Sequence, residues 1–220
     1  MIRLIRYTVT FSSILTLLAC QNNYNNNVKD VDNKSYITEF ELIQDNPKND
    51  IRVEIKSSKA IIDPTNNDIE ILDSSILILN NNVHDVKIRS GRSNFNNFNN
   101  SIEAYNNVYM SLLDGSNSFL KTKSLNWNLN TENILFNNPI HINLKNTSIH
   151  STHGSYNTEG NILKINNNVF NRTIYNSKGE EKYTIEIKSD NAKWFKNKEL
   201  LEFTSKGSQV ETTINFLTSK

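Results

Sequence analysis

The chain has 220 residues, a net charge of +1 and only 21% charged residues, so it carries no single-sign field to draw it to nucleic acid and lacks the charge of a disordered tail. Hydrophobic residues reach 36%, low for a globular chain, and the place of the missing apolar residues is taken by 39 asparagines, set against 6 Gly and 3 Pro. The lone cysteine, Cys20, excludes an internal disulfide framework and any multi-cysteine metal site.

Met1-Ile-Arg3-Leu-Ile-Arg6 is a short basic stretch, and Tyr7 to Ala19 is uncharged and apolar. That run is well short of the about 20 residues a spanning helix needs, and its length and flanks predict a secretory signal over residues 1–19. The signal ends Leu17-Leu18-Ala19-Cys20, which resembles the bacterial lipobox. In such signals the peptidase cuts before the cysteine, and the thiol carries a diacylglycerol. The resemblance implies a lipoprotein held to a membrane through Cys20, since two acyl chains suffice for stable anchoring. An uncleaved helical anchor is the alternative. Residues 20–35 include Gln21-Asn-Asn-Tyr-Asn-Asn-Asn27, too polar to bury a core, and read as a flexible tether.

From residue 36 to 220 the dominant period is two. Ile69 and Ile71, Ile102 and Ala104, Leu125, Trp127 and Leu129, Ile140, Ile142 and Leu144, and Ile185 and Ile187 each alternate with intervening residues that are mostly polar. This is the pattern of half-buried antiparallel strands, and it predicts an all-β domain. Asp190 to Phe203 is the best helical stretch, yet Ala192 and Trp194, then Leu201 and Phe203, fit two strands around Lys196-Asn-Lys-Glu199 better. Asn- and Asp-rich stretches bound the strands, at 63–68, 96–100, 130–133 and 156–161. Asparagine tolerates left-handed backbone and bonds to its own main chain, so here it stands in for scarce glycine.

The strand pairs recur. Ile55-Lys-Ser-Ser58-Lys-Ala60, Ile88-Arg-Ser90-Gly-Arg-Ser-Asn-Phe95, Leu120-Lys-Thr122-Lys-Ser-Leu125-Asn-Trp127, Ile149-His-Ser-Thr152-His-Gly154-Ser-Tyr156 and Ile187-Lys-Ser189-Asp-Asn-Ala192-Lys-Trp194 are each followed by a turn and a second apolar strand. Such spacing predicts stacked hairpins that bury together what none buries alone.

This repeat resembles those of the lipopolysaccharide-transport families LptC and LptA, with their OstA-like domains. The entry segment Ile37 to Asp45, followed by Arg52-Val53-Glu-Ile55, is similar to the start of the LptC periplasmic domain. Leu120 to Trp127, with Phe136-Asn-Asn-Pro139-Ile140-His-Ile142 after it, is similar to its middle. The typical member has a single transmembrane helix where this chain has a lipobox-like end.

The resemblance implies an open, twisted β-jellyroll whose apolar interior carries the acyl chains of lipopolysaccharide. The cargo would come from the permeases of an inner-membrane ABC transporter and pass to an LptA-like bridge protein. The protein would then be periplasmic and anchored to the inner membrane. The inward phase assigns Ile71, Ile102, Val108, Leu125, Trp127, Phe136, Ile142, Ile165 and Phe203 to the lipid groove. Phe40, Leu42 and Ile43 on the entry edge, and Val210, Thr212, Ile214 and Phe216 on the last strand, are the expected docking positions. That last strand is β-prone and nearly uncharged, as strand addition requires.

No catalytic or cofactor motif stands out. His150 and His153 lie three apart, so on one strand they point to opposite faces and cannot chelate. A nucleophile elbow, a phosphate loop and clustered carboxylates on one strand face are all lacking, so neither an enzyme nor a cofactor is expected. A structural or adhesive β-solenoid lipoprotein is the competing expectation, and it would need polar capping units.

Overall fold

The computed structural model describes residues 34–46, 50–63, 68–81, 83–113, 115–207 and 209–216. Cys20, the expected signal and most of the expected tether lie outside the described residues, as do residues 64–67 of the first expected turn. Among the described residues no helix is long and apolar enough to cross a membrane.

The alternating stretches form strands of one antiparallel sheet. β1 (Ser35–Asn46), β2 (Ile51–Asp63), β3 (Asp68–Asn80), β4 (Val83–Asn96), β5 (Ser101–Leu112) and β6 (Phe119–Asn128) make a meander. Four short strands follow: β7 (Asn133–Phe136), β8 (Ile140–Leu144), β9 (Thr147–Ser151) and β10 (His153–Asn157). Then come β11 (Ile162–Tyr175), β12 (Glu181–Phe195), β13 (Leu200–Thr204) and β14 (Glu211–Phe216). Lys196–Lys198 is a single 3-10 turn between β12 and β13, so 190–203 holds two strands around a turn, as its sequence predicts.

The long strands are bent, and the bends align. Glu39, Asp73, Asn106, Asn107 and Asn167 have φ of 55°, 48°, 63°, 61° and 48° in the middle of β1, β3, β5 and β11. The ladder skips residues beside each of these positions. Gly91 belongs to the same line, because a Cβ there would sit 3.1 Å from the Asn106 carbonyl oxygen. Seven of the twelve non-glycine residues with positive φ are asparagine, which gives the asparagine excess a structural role in place of glycine.

This line of bends is a crease that divides the sheet into two layers. The first layer holds 51–56, 75–80, 83–89, 108–112 and 119–122, then β8, β9, 168–175, 181–188 and β14. The second holds 59–63, 68–72, 92–96, 101–105 and 124–128, then β7, β10, 162–166, 191–195 and β13. β1 runs along one edge of both layers. Each layer ends on its own short strand, β14 or β13, both paired to β12.

A hydroxyl marks each crossing of the crease. Ser57, Ser90, Thr122, Ser151 and Ser189 donate to the carbonyl two residues on, at 2.8, 2.9, 3.4, 3.0 and 3.0 Å. These are the third residues of the five repeats. A side chain that satisfies a carbonyl released from the ladder lets the strand turn without a buried orphan. At β3 and β4 the device grows into a buried cluster, with Ser74 2.7 Å from both Ser90 and Ser93.

Ile, Leu and Phe from both layers form one core. Its larger polar members are satisfied. Trp127 Nε1 donates to the Thr131 carbonyl at 3.2 Å, and the Tyr156 hydroxyl donates to Asn161 Oδ1 at 2.7 Å.

Candidate functional site

Strand phase decides which residues face between the layers. All nine positions assigned to the groove from sequence do so. Ile71, Ile102, Val108, Leu125, Trp127, Phe136, Ile142 and Ile165 are buried, and Phe203 is half-buried. Most of this interior is filled by its own side chains. Ile142 borders a gap of about 20 Å³, and Trp127 borders another of the same size. Such a gap admits about one water molecule and no acyl chain.

The layers part near their carboxy-terminal ends. There a mouth of about 490 Å³ is walled by Leu144 and Phe170 from the first layer and by Trp194, Leu201 and Phe203 from the second. Phe170 and Phe203 meet edge to face across it, with ring centroids 5.2 Å apart. Of the nine expected groove residues only Phe203 lines this space. Phe170, Trp194 and Leu201 complete the wall and were not among them. Each lies on an inward phase, so alternation carried the signal, but alternation alone does not tell open space from packed core.

Past the mouth the inner face of the first layer loses its cover, from buried Phe170 through half-buried Ile185 and Tyr183 to the exposed end of β14. Phe170, Ile187 and Thr212 form one cross-strand row, Arg172, Ile185 and Ile214 the next, and Ile174, Tyr183 and Phe216 a third. Tyr183 and Phe216 pack with centroids 5.7 Å apart. Ile214 is nevertheless 49% exposed and Phe216 73%. An apolar sheet face this open at an edge is a surface for a ligand or another chain.

The charged groups at the mouth are unevenly matched. Lys145 and Asn146 lie in the β8–β9 turn, and Arg172 faces inward from β11 opposite Thr147. Lys196 enters from the second layer and pairs with Asp85 of β4. Glu199 is the one acidic side chain among the described residues of the lining.

The expected docking positions divide. Phe40 is packed into the core at 8% exposure, Leu42 is half-buried and Ile43 is 51% exposed. Val210 precedes β14, while Thr212, Ile214 and Phe216 lie within it. Among the described residues β14 pairs only with β12 and β1 only with β2, leaving one rim of each without a ladder partner.

His150 and His153 fall on separate strands. The partner of His150 is instead His141, directly opposite it on β8, with their Nδ1 atoms 3.3 Å apart. Burial, the neighbouring His150 charge and Lys121 together hold the His141 pKa below its ordinary value. Among the described residues no group of three or more His, Cys, Asp or Glu could hold a metal ion.

The family model for lipopolysaccharide-assembly, LptC-related proteins matches residues 7–170. The match ends within β11, so Arg172, Trp194 and Phe203 lie beyond it. Among solved structures the chain is similar to LptH of Pseudomonas aeruginosa, described as the LptA homologous periplasmic component of the conserved lipopolysaccharide transport device. Identity is 7% and the TM-score 0.42, over 52% of this chain and 81% of that one. No curated protein matches the sequence.

Proposed function

The chain belongs to the LptC-related lipopolysaccharide-assembly family, and from that premise we propose that it is a periplasmic relay. It takes lipopolysaccharide from the permeases of an inner-membrane ABC transporter and passes it to an LptA-like bridge protein. The observation that carries this reading is the apolar inner face, packed shut through most of its length and opening from the mouth at Phe203 towards exposed Ile214 and Phe216. Each CH₂ of an acyl chain withdrawn from water there gains about 0.8 kcal/mol, so a carrier needs apolar area and no catalytic group. The nine inward residues named from sequence would serve chiefly as the fixed floor of this groove. Lipid would touch the carboxy-terminal part around Phe203.

In this reading the β1 edge meets the transporter through its main chain and Ile43. The β14 edge takes the first strand of the bridge, extending one sheet between proteins. Residues 1–19 would be removed as a signal, Cys20 would carry the lipid anchor in the inner membrane, and residues 20–35 would tether the domain formed by 36–220.

The experiment is photo-crosslinking in membranes that carry the transporter. A crosslinker at Phe203, Ile185 or Ile214 should capture lipopolysaccharide when ATP is supplied. Glu103 and Asn128, both exposed on the outer phase, should remain unlabelled. Equal labelling from the outer positions would remove the groove.

A further inference from the structure

We infer that the mouth is a phosphate site as well as an apolar one: Arg172 and Lys145 hold the phosphate of the carried lipid's headgroup while its chains lie against Phe170, Trp194 and Phe203. This rests on the lipid-carrier reading and assigns the headgroup end of the cargo to particular residues.

The phase of Arg172 is the first observation. In β11 the inward residues are Phe170, Arg172 and Ile174, and the residues between them are Asn171 and Thr173. Arg172 is itself exposed, so its charge stays in water. It stands in a row with Thr147, Ile185 and Ile214, at the lining of the cavity.

The second observation is charge balance. Neither Arg172 nor Lys145 takes part in an ion pair among the described residues, whereas Lys196 in the same lining is matched by Asp85. Among the described residues of the lining Glu199 is the single carboxylate, and it belongs to the opposite layer. The first-layer rim therefore holds two cations from separate elements with no ion-pair partner among the described residues. The turn that carries Lys145 is sharply set, with φ of 53° at that residue.

The third observation is what lies behind the cations. The wall beneath is aromatic and aliphatic. Cations at the border between water and an apolar wall suit an amphiphile whose anionic group sits beside its chains. A guanidinium fork matches phosphate oxygens in pairs, and the lysine adds a point charge. A phosphate with more than one negative charge uses both cations.

The test is equilibrium binding to the full chain, followed by tryptophan emission. Trp194 lines the mouth, while Trp127 is buried away from it. Three probes are compared: a diphosphorylated, multiply acylated glucosamine disaccharide, the same lipid after phosphatase treatment, and inorganic phosphate. The phosphorylated lipid should bind the wild type at least about tenfold more tightly than its dephosphorylated form, a difference of about 1.4 kcal/mol. Arg172→Gln and Lys145→Gln should each shrink that ratio. The double variant should bring it close to one and still bind the dephosphorylated lipid. Lys164→Gln, an exposed charge of the second layer, should leave the ratio unchanged. Inorganic phosphate at matching concentration should not displace the lipid.

Equal binding of the two lipids by wild type, or a ratio that survives the double variant, overturns the phosphate site and leaves the carrier reading standing. Displacement by inorganic phosphate overturns the headgroup assignment in favour of a free anion. Failure to bind either lipid removes the carrier reading, and the phosphate site with it.

Discussion

Asp85 and Lys196 form an ion pair across 111 residues of sequence, joining the start of β4 in the first layer to the turn after β12 in the second. Their side chains are only 16% and 14% exposed. The pair lies away from the crease, beside the mouth, so it fastens the two layers where the sheet itself does not connect them.

Removing either partner leaves a largely buried charge unmatched. Asp85→Ala and Lys196→Ala should each lower stability by about 1.5–3 kcal/mol in urea unfolding. The double variant should cost less than the sum of the singles, with a coupling of at least about 0.5 kcal/mol. Strict additivity would show that the two side chains do not act as a pair.

The buried hydroxyls at the crease make a similar prediction with a different signature. Ser74 sits between Ser90 and Ser93, which also bond each other at 2.9 Å, so Ser74→Ala removes two bonds but leaves both hydroxyls partnered and should cost about 0.5–1.5 kcal/mol. Replacing all three serines by alanine should cost less than three such losses, because the three hydroxyls share their bonds with one another. Thermal unfolding of the single and triple variants decides the matter.

Gly154 is required by space. A Cβ there would lie 2.5 Å from the Lys164 carbonyl oxygen and 3.1 Å from Ile140 Cδ1. The first of these is main chain and does not yield easily. Gly154→Ala should destabilise by about 1–3 kcal/mol, whereas Gly207→Ala, which meets nothing within 4 Å, should be nearly neutral. Similar melting temperatures for the two variants would contradict the packing at β10.

The pair His141 and His150 makes stability depend on pH. Because the folded state holds the His141 pKa below 6.5, the unfolded chain binds more protons as pH falls. Stability contributed by neutral His141 is therefore complete above about pH 6.5 and is lost as pH drops through the lower folded value. Urea midpoints should fall between about pH 7 and about pH 5, and His141→Asn should flatten that slope. An unaltered slope in the variant would assign the pH dependence to groups other than His141, which faces His150 and Lys121.

For the proposed docking edge, adjacent proline substitutions separate the two rims of β14. Successive main-chain N–H groups on a strand point to opposite sides. Of Thr212→Pro and Thr213→Pro, one therefore breaks the ladder to β12 and the other only the outer rim. The outer-rim variant should keep its melting temperature and lose capture of an LptA-like partner. Capture at wild-type level by both variants would rule out strand addition at this edge.

Local chemistry in the sequence already determines much of this protein. Alternation at Ile69 to Leu72, Ile102 to Tyr105 and Ile185 to Lys188 identifies strands and their inner faces, because side chains on a strand repeat every two residues. Asn-rich stretches place the turns, since asparagine accepts the backbone angles that a turn imposes. The repeated apolar-x-Ser/Thr marks each unit, although its work at the crease emerges only from the register of neighbouring strands. Tertiary structure alone decides where the interior is full and where it is open. Phe136 and Phe203 share an inward phase, yet Phe136 is sealed by the opposite layer and Phe203 borders the mouth. The difference is set by how the two layers diverge past β11, a matter of distance between residues remote in sequence. The partnership of Asp85 with Lys196, and of His141 with His150, is set the same way, by strand register and layer stacking that no local pattern encodes.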